Sequence, residues 1–287
     1  MRVFILLFIA AGFTQCLQSQ SDESLSDYDH VKVPYSVNEP TRILSLHSEL
    51  EEISGLSFYR RNMLVAVQDE KGKLYFIDSA DGEIKRELKF YKSGDYEGVE
   101  IIGDQVYVTE SDGDIYVFSI KSQNQAEAER IKTAFSRDND IEGLASIQGD
   151  IVLLTKASGE IKDNGIKGKA AYFYDDAKKE IDLDPLFSFR IKDLEHFIGD
   201  REYFNDLKDF DPSGFAEHPA TKDIYIISAD RALLVLDSEY KIKEIVKLSR
   251  RIYKQPEGIC FDPEGRLYIS NEGDGARAKL VIIDQIR

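Results

Sequence analysis

The chain has 287 residues, 42% of them hydrophobic, enough for one large domain or two small ones. Its formal net charge of −16 and pI near 4.8 argue against a basic face that displaces counterions from nucleic-acid phosphate, and make cations the natural partners. Seven Pro, no Trp, and 15 Tyr with 16 Phe suit a β-rich protein, whose pleated surfaces favour aromatic and β-branched side chains.

Met1 and Arg2 precede an apolar run over residues 3–11, too short to span a bilayer and with a basic start, which predicts an export signal. Cys16 stands where a lipoprotein signal places its acylated cysteine, although Phe13-Thr14-Gln15 depart from the usual small residues. The expected plan is a signal over 1–16 ending at lipidated Cys16, a flexible Ser-, Asp- and Gln-rich tether over 17–40, and one domain over 41–287. Such a protein is exported and sits at the cell envelope, on the periplasmic or surface side, touching the membrane only through its lipid anchor. Cleavage without lipidation would leave it soluble, periplasmic or secreted. Cys260, in the apolar run Gly258-Ile259-Cys260-Phe261, is expected to be a buried free thiol, so no disulfide framework is predicted.

From Ile53 onward one short pattern recurs five times: Ile53-Ser54-Gly55-Leu56, Tyr96-Glu97-Gly98-Val99, Ile141-Glu142-Gly143-Leu144, Pro212-Ser213-Gly214-Phe215 and Pro256-Glu257-Gly258-Ile259. Each repeat divides into four short strands, separated in the first by Arg60-Arg61-Asn62, Glu70-Lys71-Gly72 and Asp81-Gly82. The third of these aligns best: 74–78, 115–119, 171–175, 233–237 and 280–284. Four strands in a period of roughly 44 residues predict an all-β propeller. The chain ends just after the fifth third-strand, while residues 41–47 alternate like a fourth strand. The N-terminal strand is therefore expected to complete the last blade and cover its edge. This gives a five-bladed propeller of four-stranded blades, expected as a monomer. Six blades would need another blade between Gly143 and Gly214, where residues 193–211 read instead as a helical insertion, with Leu194, Phe197, Tyr203, Phe204 and Leu207 near helical spacing.

The first strand of each propeller blade lines the central channel. The repeat therefore gathers Ser54, Glu97, Glu142, Ser213 and Glu257 around one axis, with glycine next to each so that the backbones can crowd together. Three carboxylates converging there repel one another unless a cation sits among them. An all-oxygen set suits a hard divalent ion, and Ca2+ is the expected one, because it accepts six to eight oxygens in irregular geometry. Two residues earlier stand Glu52, Asp95, Asp140, Asp211 and Gln255, either an outer ring of acceptors or a solvated acidic rim. The turns opening on the same face supply a candidate pocket rim of Asp69, Glu70, Glu110, Lys156, Asp230, Arg231, Asn271 and Glu272, which the 193–211 insertion could wall.

The phrases around these residues resemble the SdiA-regulated family of exported β-propellers: Glu52-Ile53-Ser54-Gly55-Leu56-Ser57, Asp95-Tyr96-Glu97-Gly98-Val99, Asp211-Pro212-Ser213-Gly214-Phe215 and Gln255-Pro256-Glu257-Gly258-Ile259. The resemblance implies an envelope propeller, often a lipoprotein, without an established reaction. The order Ser, Glu, Glu, Ser, Glu is also similar to the central calcium ligands of apyrase-type calcium-activated nucleotidases, five-bladed propellers themselves. That likeness implies the metal set, whereas their nucleotide contacts do not map onto these loops. Two functions follow as expectations. One is a calcium-binding module or scaffold at the envelope whose ligand is a small molecule or an envelope protein. The other is a calcium-dependent hydrolase of phosphate esters or anhydrides. A lactonase of the six-bladed calcium type fits the blade count less well. The four histidines, His30, His47, His196 and His218, show no common spacing that would mark a catalytic group.

Overall fold

The computed structural model describes residues 33–198, 209–273 and 275–286. The expected signal, Cys16 and most of the tether lie outside the described residues, as do His30, residues 199–208 of the expected insertion and the side chain of His196. The first strand, β1 (Arg42–Ser45), stands apart from those that follow it. Blade 1 is β2 (Ile53–Arg60), β3 (Met63–Gln68), β4 (Lys71–Asp78) and β5 (Ile84–Lys89), and blade 2 is β6 (Tyr96–Ile102), β7 (Gln105–Glu110), β8 (Ile115–Ser119) and β9 (Glu129–Ile131). In blade 3, β10 (Ile141–Ile147), β11 (Asp150–Thr155) and β12 (Lys169–Asp175) are followed by an outer strand broken into β13 (Glu180–Ile181) and β14 (Phe187–Phe189), both paired with β12. Blade 4 is β15 (Pro212–Glu217), β16 (Ile224–Ser228), β17 (Ala232–Leu236) and β18 (Ile242–Lys247). Blade 5 has β19 (Pro256–Phe261), β20 (Leu267–Asn271) and β21 (Lys279–Ile283), and its fourth strand is β1.

The closing strand is therefore the one expected from the alternation of residues 41–47, with Ile43 opposite Val281 and Leu44 opposite Leu280. The inner strands touch in the order β2, β6, β10, β15, β19 and back to β2, which closes a five-membered ring. Every blade is covered on both faces, so its middle strands read as unbroken apolar runs rather than alternating ones. Along β17, Leu233 and Val235 face the cluster shared with blade 5, while Leu234 and Leu236 face the one shared with blade 3. The same alternation yields five apolar clusters, one for each blade-to-blade interface.

Glycine in the repeat is a packing requirement. A Cβ on Gly258 would lie 2.6 Å from the Ser54 carbonyl oxygen and 2.6 Å from the Leu56 Cβ, and one on Gly214 would lie 2.5 Å from the Glu257 carbonyl oxygen. The obstacle is largely the backbone of the next inner strand, which cannot rotate away. Gly258→Ala is expected to lower stability by about 1–3 kcal/mol, the usual cost of overpacking, and a denaturation midpoint equal to that of the unaltered protein would contradict the packing account.

One expectation needs correction. The tether ends earlier than residue 40. Val33, Tyr35 and Val37 are buried between blades 4 and 5, the Tyr35 hydroxyl donates to the Gly265 carbonyl (2.6 Å), and Asn38 bonds both Lys247 O and the Ser249 N–H. Three apolar residues at period two anchor a short strap of bends and turns, a signal too short to stand out from the polar residues before it. The helical insertion, expected from about residue 193, begins with α1 (Ile191–Ile198). Asp193 accepts from the Arg190 N–H (3.0 Å), a reach back of three residues that stabilises a helix start. Leu194 and Ile198, one turn apart, bury themselves with Phe189 and Phe210 in the cluster between blades 3 and 4. The described part of the insertion thus docks against outer strand β18; Tyr203, Phe204 and Leu207 lie outside the described residues.

Candidate metal centre

Each copy of the repeat forms a β-bulge. Pairing of inner with second strand slips between Ile53 and Leu56, Tyr96 and Gly98, Ile141 and Gly143, Pro212 and Gly214, and Pro256 and Ile259. The slip falls on the Ser or Glu of every copy, and a bulge turns such a side chain out of the strand's alternation. All five residues accordingly stand at the same end of the inner strands. Ser54, Glu142, Ser213 and Glu257 are buried, and Glu97 is half-buried. The Ser213 hydroxyl donates to Pro256 O of the next blade (2.7 Å), which leaves its lone pairs for another partner.

The three carboxyls act on one another. Burial, then Glu142, Asp95 and Glu257, push the Glu97 carboxyl well above the usual range. Glu257 is pushed up to about 8 by burial and by Glu142, against the opposing effects of Gln255 and Lys156. Burial also raises Glu142, opposed by Lys156, whose ammonium lies 2.9 Å from its Oε1. For Lys156, burial disfavours the charge, but Glu142 outweighs it and holds the ammonium above its ordinary range.

Around this ring a backbone bond repeats five times. The residue after each second strand donates its N–H to the carbonyl two positions before the ring residue: Asp69 to Glu52, Ser111 to Asp95, Lys156 to Asp140, Ala229 to Asp211, and Glu272 to Gln255. These bonds fix the outer residues as struts of the ring's mouth. Their side chains pair mostly locally, Asp95 with Ser111, Gln255 with Glu272 and Asp211 with Lys169. The last residues of the second strands are polar throughout: Gln68, Glu110, Thr155, Ser228 and Asn271. Thr155 and Ser228 accept backbone N–H groups, whereas the buried Gln68 Oε1, Asp69 Oδ1 and both amide atoms of Asn271 have no protein partner. An unpaired buried polar group costs about 1–3 kcal/mol, so these four atoms, on blades 5 and 1, call for water or a ligand at the mouth. Asp69 is pushed up to about 6 by burial and by Glu52, Glu70 and Asp95.

The rest of the expected rim divides. Lys156, Asp69 and Asn271 belong to the ring's surroundings, and Glu272 reaches Gln255. Glu70 is exposed. Asp230 accepts from the Asp211 N–H (3.2 Å), and Arg231 donates to Lys254 O (3.3 Å). Glu110 turns away, to the Tyr116 hydroxyl (2.8 Å) and Arg130 (3.3 Å). With Asp112 and Asp114 it forms a group whose carboxylate oxygens lie within 4.8 Å of one another and could hold a metal ion. Arg130 is seated on this group, 2.7 Å from Asp114. One half-buried acid escaped the sequence reading. Glu100, three residues beyond Glu97, accepts from Ser57 Oγ (2.6 Å) and the Ser146 N–H (3.1 Å), and so ties blades 1, 2 and 3 together. Its counterparts are Ser57, Ala145, Ala216 and Cys260, and one acid among small residues was the available signal. Cys260 is the buried free thiol expected. His47 caps a short helical turn by accepting from the Glu49 N–H (3.1 Å), and buried His218 meets the Tyr35 hydroxyl (2.8 Å). Both do structural work.

The sequence profile described as SdiA-regulated matches residues 39–155 and 184–274, which include all five ring residues. The chain belongs to the SdiA-regulated family. No curated protein matches the chain significantly. Among solved structures it is similar in fold to the glutaminyl cyclase of Myxococcus xanthus, with 14% identity, 86% of this chain and 95% of that one covered, and a TM-score of 0.55. A luciferin-regenerating enzyme shares 12% identity over 86% of this chain and 96% of its own, with a TM-score of 0.50. These likenesses show the propeller fold alone.

Proposed function

We propose that this member of the SdiA-regulated family binds one hard divalent cation, Ca2+, on its axis and serves at the cell envelope as a binding or scaffold module. The observation that carries the reading is the ring itself: five oxygen-bearing side chains on five β-bulges, three of them carboxyls that raise one another's pKa. The chemical kind of the donor set supports calcium. It contains no nitrogen or sulfur donor, its five oxygens come from five independent strands that need no fixed polyhedron, and unpaired buried oxygens at Gln68, Asp69 and Asn271 stand near the mouth for bound water. Ser54, Glu97, Glu142, Ser213 and Glu257 would hold the ion, which would supply positive charge to keep the carboxylates ionised and to attract an oxygen-rich ligand on the open face. The partner is a small molecule or an envelope protein, and Cys16 would carry the anchor.

Thermal unfolding tests this reading. An ion bound only to the folded state adds about 2.7 kcal/mol at a hundred times its dissociation constant, or about 2–4 °C in Tm for each kcal/mol in a domain of this size. Calcium is expected to raise the midpoint of chelator-treated protein, and Glu142→Gln to remove most of the rise. An identical midpoint in calcium and in chelator would overturn the proposal.

A further inference from the structure

The five equivalent positions that donate to the struts of the mouth are Asp69, Ser111, Lys156, Ala229 and Glu272. Four are acidic or uncharged, and only the third is basic. Blade 3 builds this exception firmly. The Lys156 N–H bonds Asp140 O at 2.7 Å, its carbonyl accepts from Lys169, and Lys169 is itself paired with Asp211 at 2.9 Å. The Lys156 side chain is thereby laid across the mouth onto Glu142, at 2.9 Å, with a carboxylate that is nine-tenths buried. Lys156 is also the first residue beyond the segment 39–155 that the family profile matches.

We propose that Lys156 is the specificity-determining residue of the ring, a resident counter-charge that fits the site to a divalent ion. The inference rests on the reading of the ring as a cation site. Three ionised carboxylates alone carry three negative charges, which favours a trivalent ion. The Lys156 ammonium offsets one of them, so among the ring's own groups a divalent ion balances the charge and a trivalent one exceeds it, while Asp95 and Asp140 bear on the same carboxyls equally in every variant. Because the ammonium is held by the blade rather than free in solution, it acts at short range in a buried setting, where salt screens it little. Lys156 contributes no donor atom to the ion. It acts through the charge it places beside Glu142, and by occupying one lone pair of that carboxylate it leaves the other oxygen for the metal.

The test compares the affinities of Ca2+ and Tb3+ for the full exported domain and for Lys156→Gln and Lys156→Arg, by competition titration. Removing one positive charge within several ångströms of the ion is expected to raise the Tb3+ to Ca2+ affinity ratio by about tenfold or more in Lys156→Gln, whereas Lys156→Arg keeps the ratio of the unaltered protein. Lys156→Ser, the residue blade 2 carries at this position, replaces the Gln variant if the latter does not fold. Calcium binding with an unchanged ratio in the charge-removing variant would overturn the role of Lys156 while leaving the ring intact. Failure of both ions to bind any of the proteins would overturn the ring, and this inference with it.

Discussion

In chelator, the midpoint of thermal unfolding is expected to fall as the pH rises from 6.5 to 8, and excess calcium is expected to remove the fall. The carboxyl of Glu257 is at about 8 in the folded protein against 4.5 for an unperturbed glutamate, and Glu97 and Glu142 are shifted in the same direction. Between those values the folded chain holds protons that the unfolded chain has lost. Stability then decreases with rising pH, by about 1.4 kcal/mol per pH unit for each proton retained. His218 works the other way: burial lowers its pKa below 6.5, so it favours folding as pH rises, but only up to about 6.5. Asp69, at about 6, has released its proton by then. Above 6.5 neither group opposes the ring, whose contribution is told from that of the other raised carboxyls, Glu100, Glu110 and Asp230, by its removal in Glu257→Gln. A bound divalent ion takes the place of the protons, so calcium should flatten the profile and bind more tightly as the pH increases. A profile in chelator that is level from 6.5 to 8, or a fall that Glu257→Gln leaves unchanged, would contradict three carboxyls gathered in a buried ring.

Removal of the N-terminal strap and closing strand is expected to abolish cooperative folding. A chain beginning at Ser48 lacks Val33, Tyr35, Val37, β1 and Leu46, four of whose side chains are almost fully buried. At about 1.5–3 kcal/mol for each buried large apolar side chain, the loss is comparable with the ~5–15 kcal/mol by which a typical domain is stable. Blade 5 would also present β21 as an open, apolar edge. A chain beginning at Thr41 keeps β1, loses only the strap, and should fold with a lowered midpoint. The two truncations separate the roles of closure and strapping. A chain from Ser48 that unfolds cooperatively at the full-length midpoint would contradict the closure account.

The blade count and the closing strand were legible because a propeller repeats its turns and its apolar runs, and because β1 is the one alternating segment without a place in a repeat of its own. The long interval was harder. Blade 3 spends its extra residues in three places, the loop between β11 and β12, the break between β13 and β14, and the segment containing α1, whereas spacing alone suggested one insertion over 193–211. The strap hid because three apolar residues at period two carry little weight beside a long polar stretch. At the ring, residue types and strand positions were readable, but the bulges were not, since a bulge is a relation between two strands. For the same reason Glu110 passed for a rim residue: only the structure shows Tyr116 and Arg130 drawing it outward. Lys156 was readable as a rim residue but not as the single charge laid onto Glu142.

Calcium uptake by the chelator-treated protein, followed by titration calorimetry, tests the metal centre most directly. One ion per chain is predicted, with affinity reduced about tenfold or more in Glu257→Gln, whose amide preserves shape but removes one ring charge. No saturable uptake, or uptake that Glu257→Gln leaves unchanged, would contradict an axial site built from Ser54, Glu97, Glu142, Ser213 and Glu257.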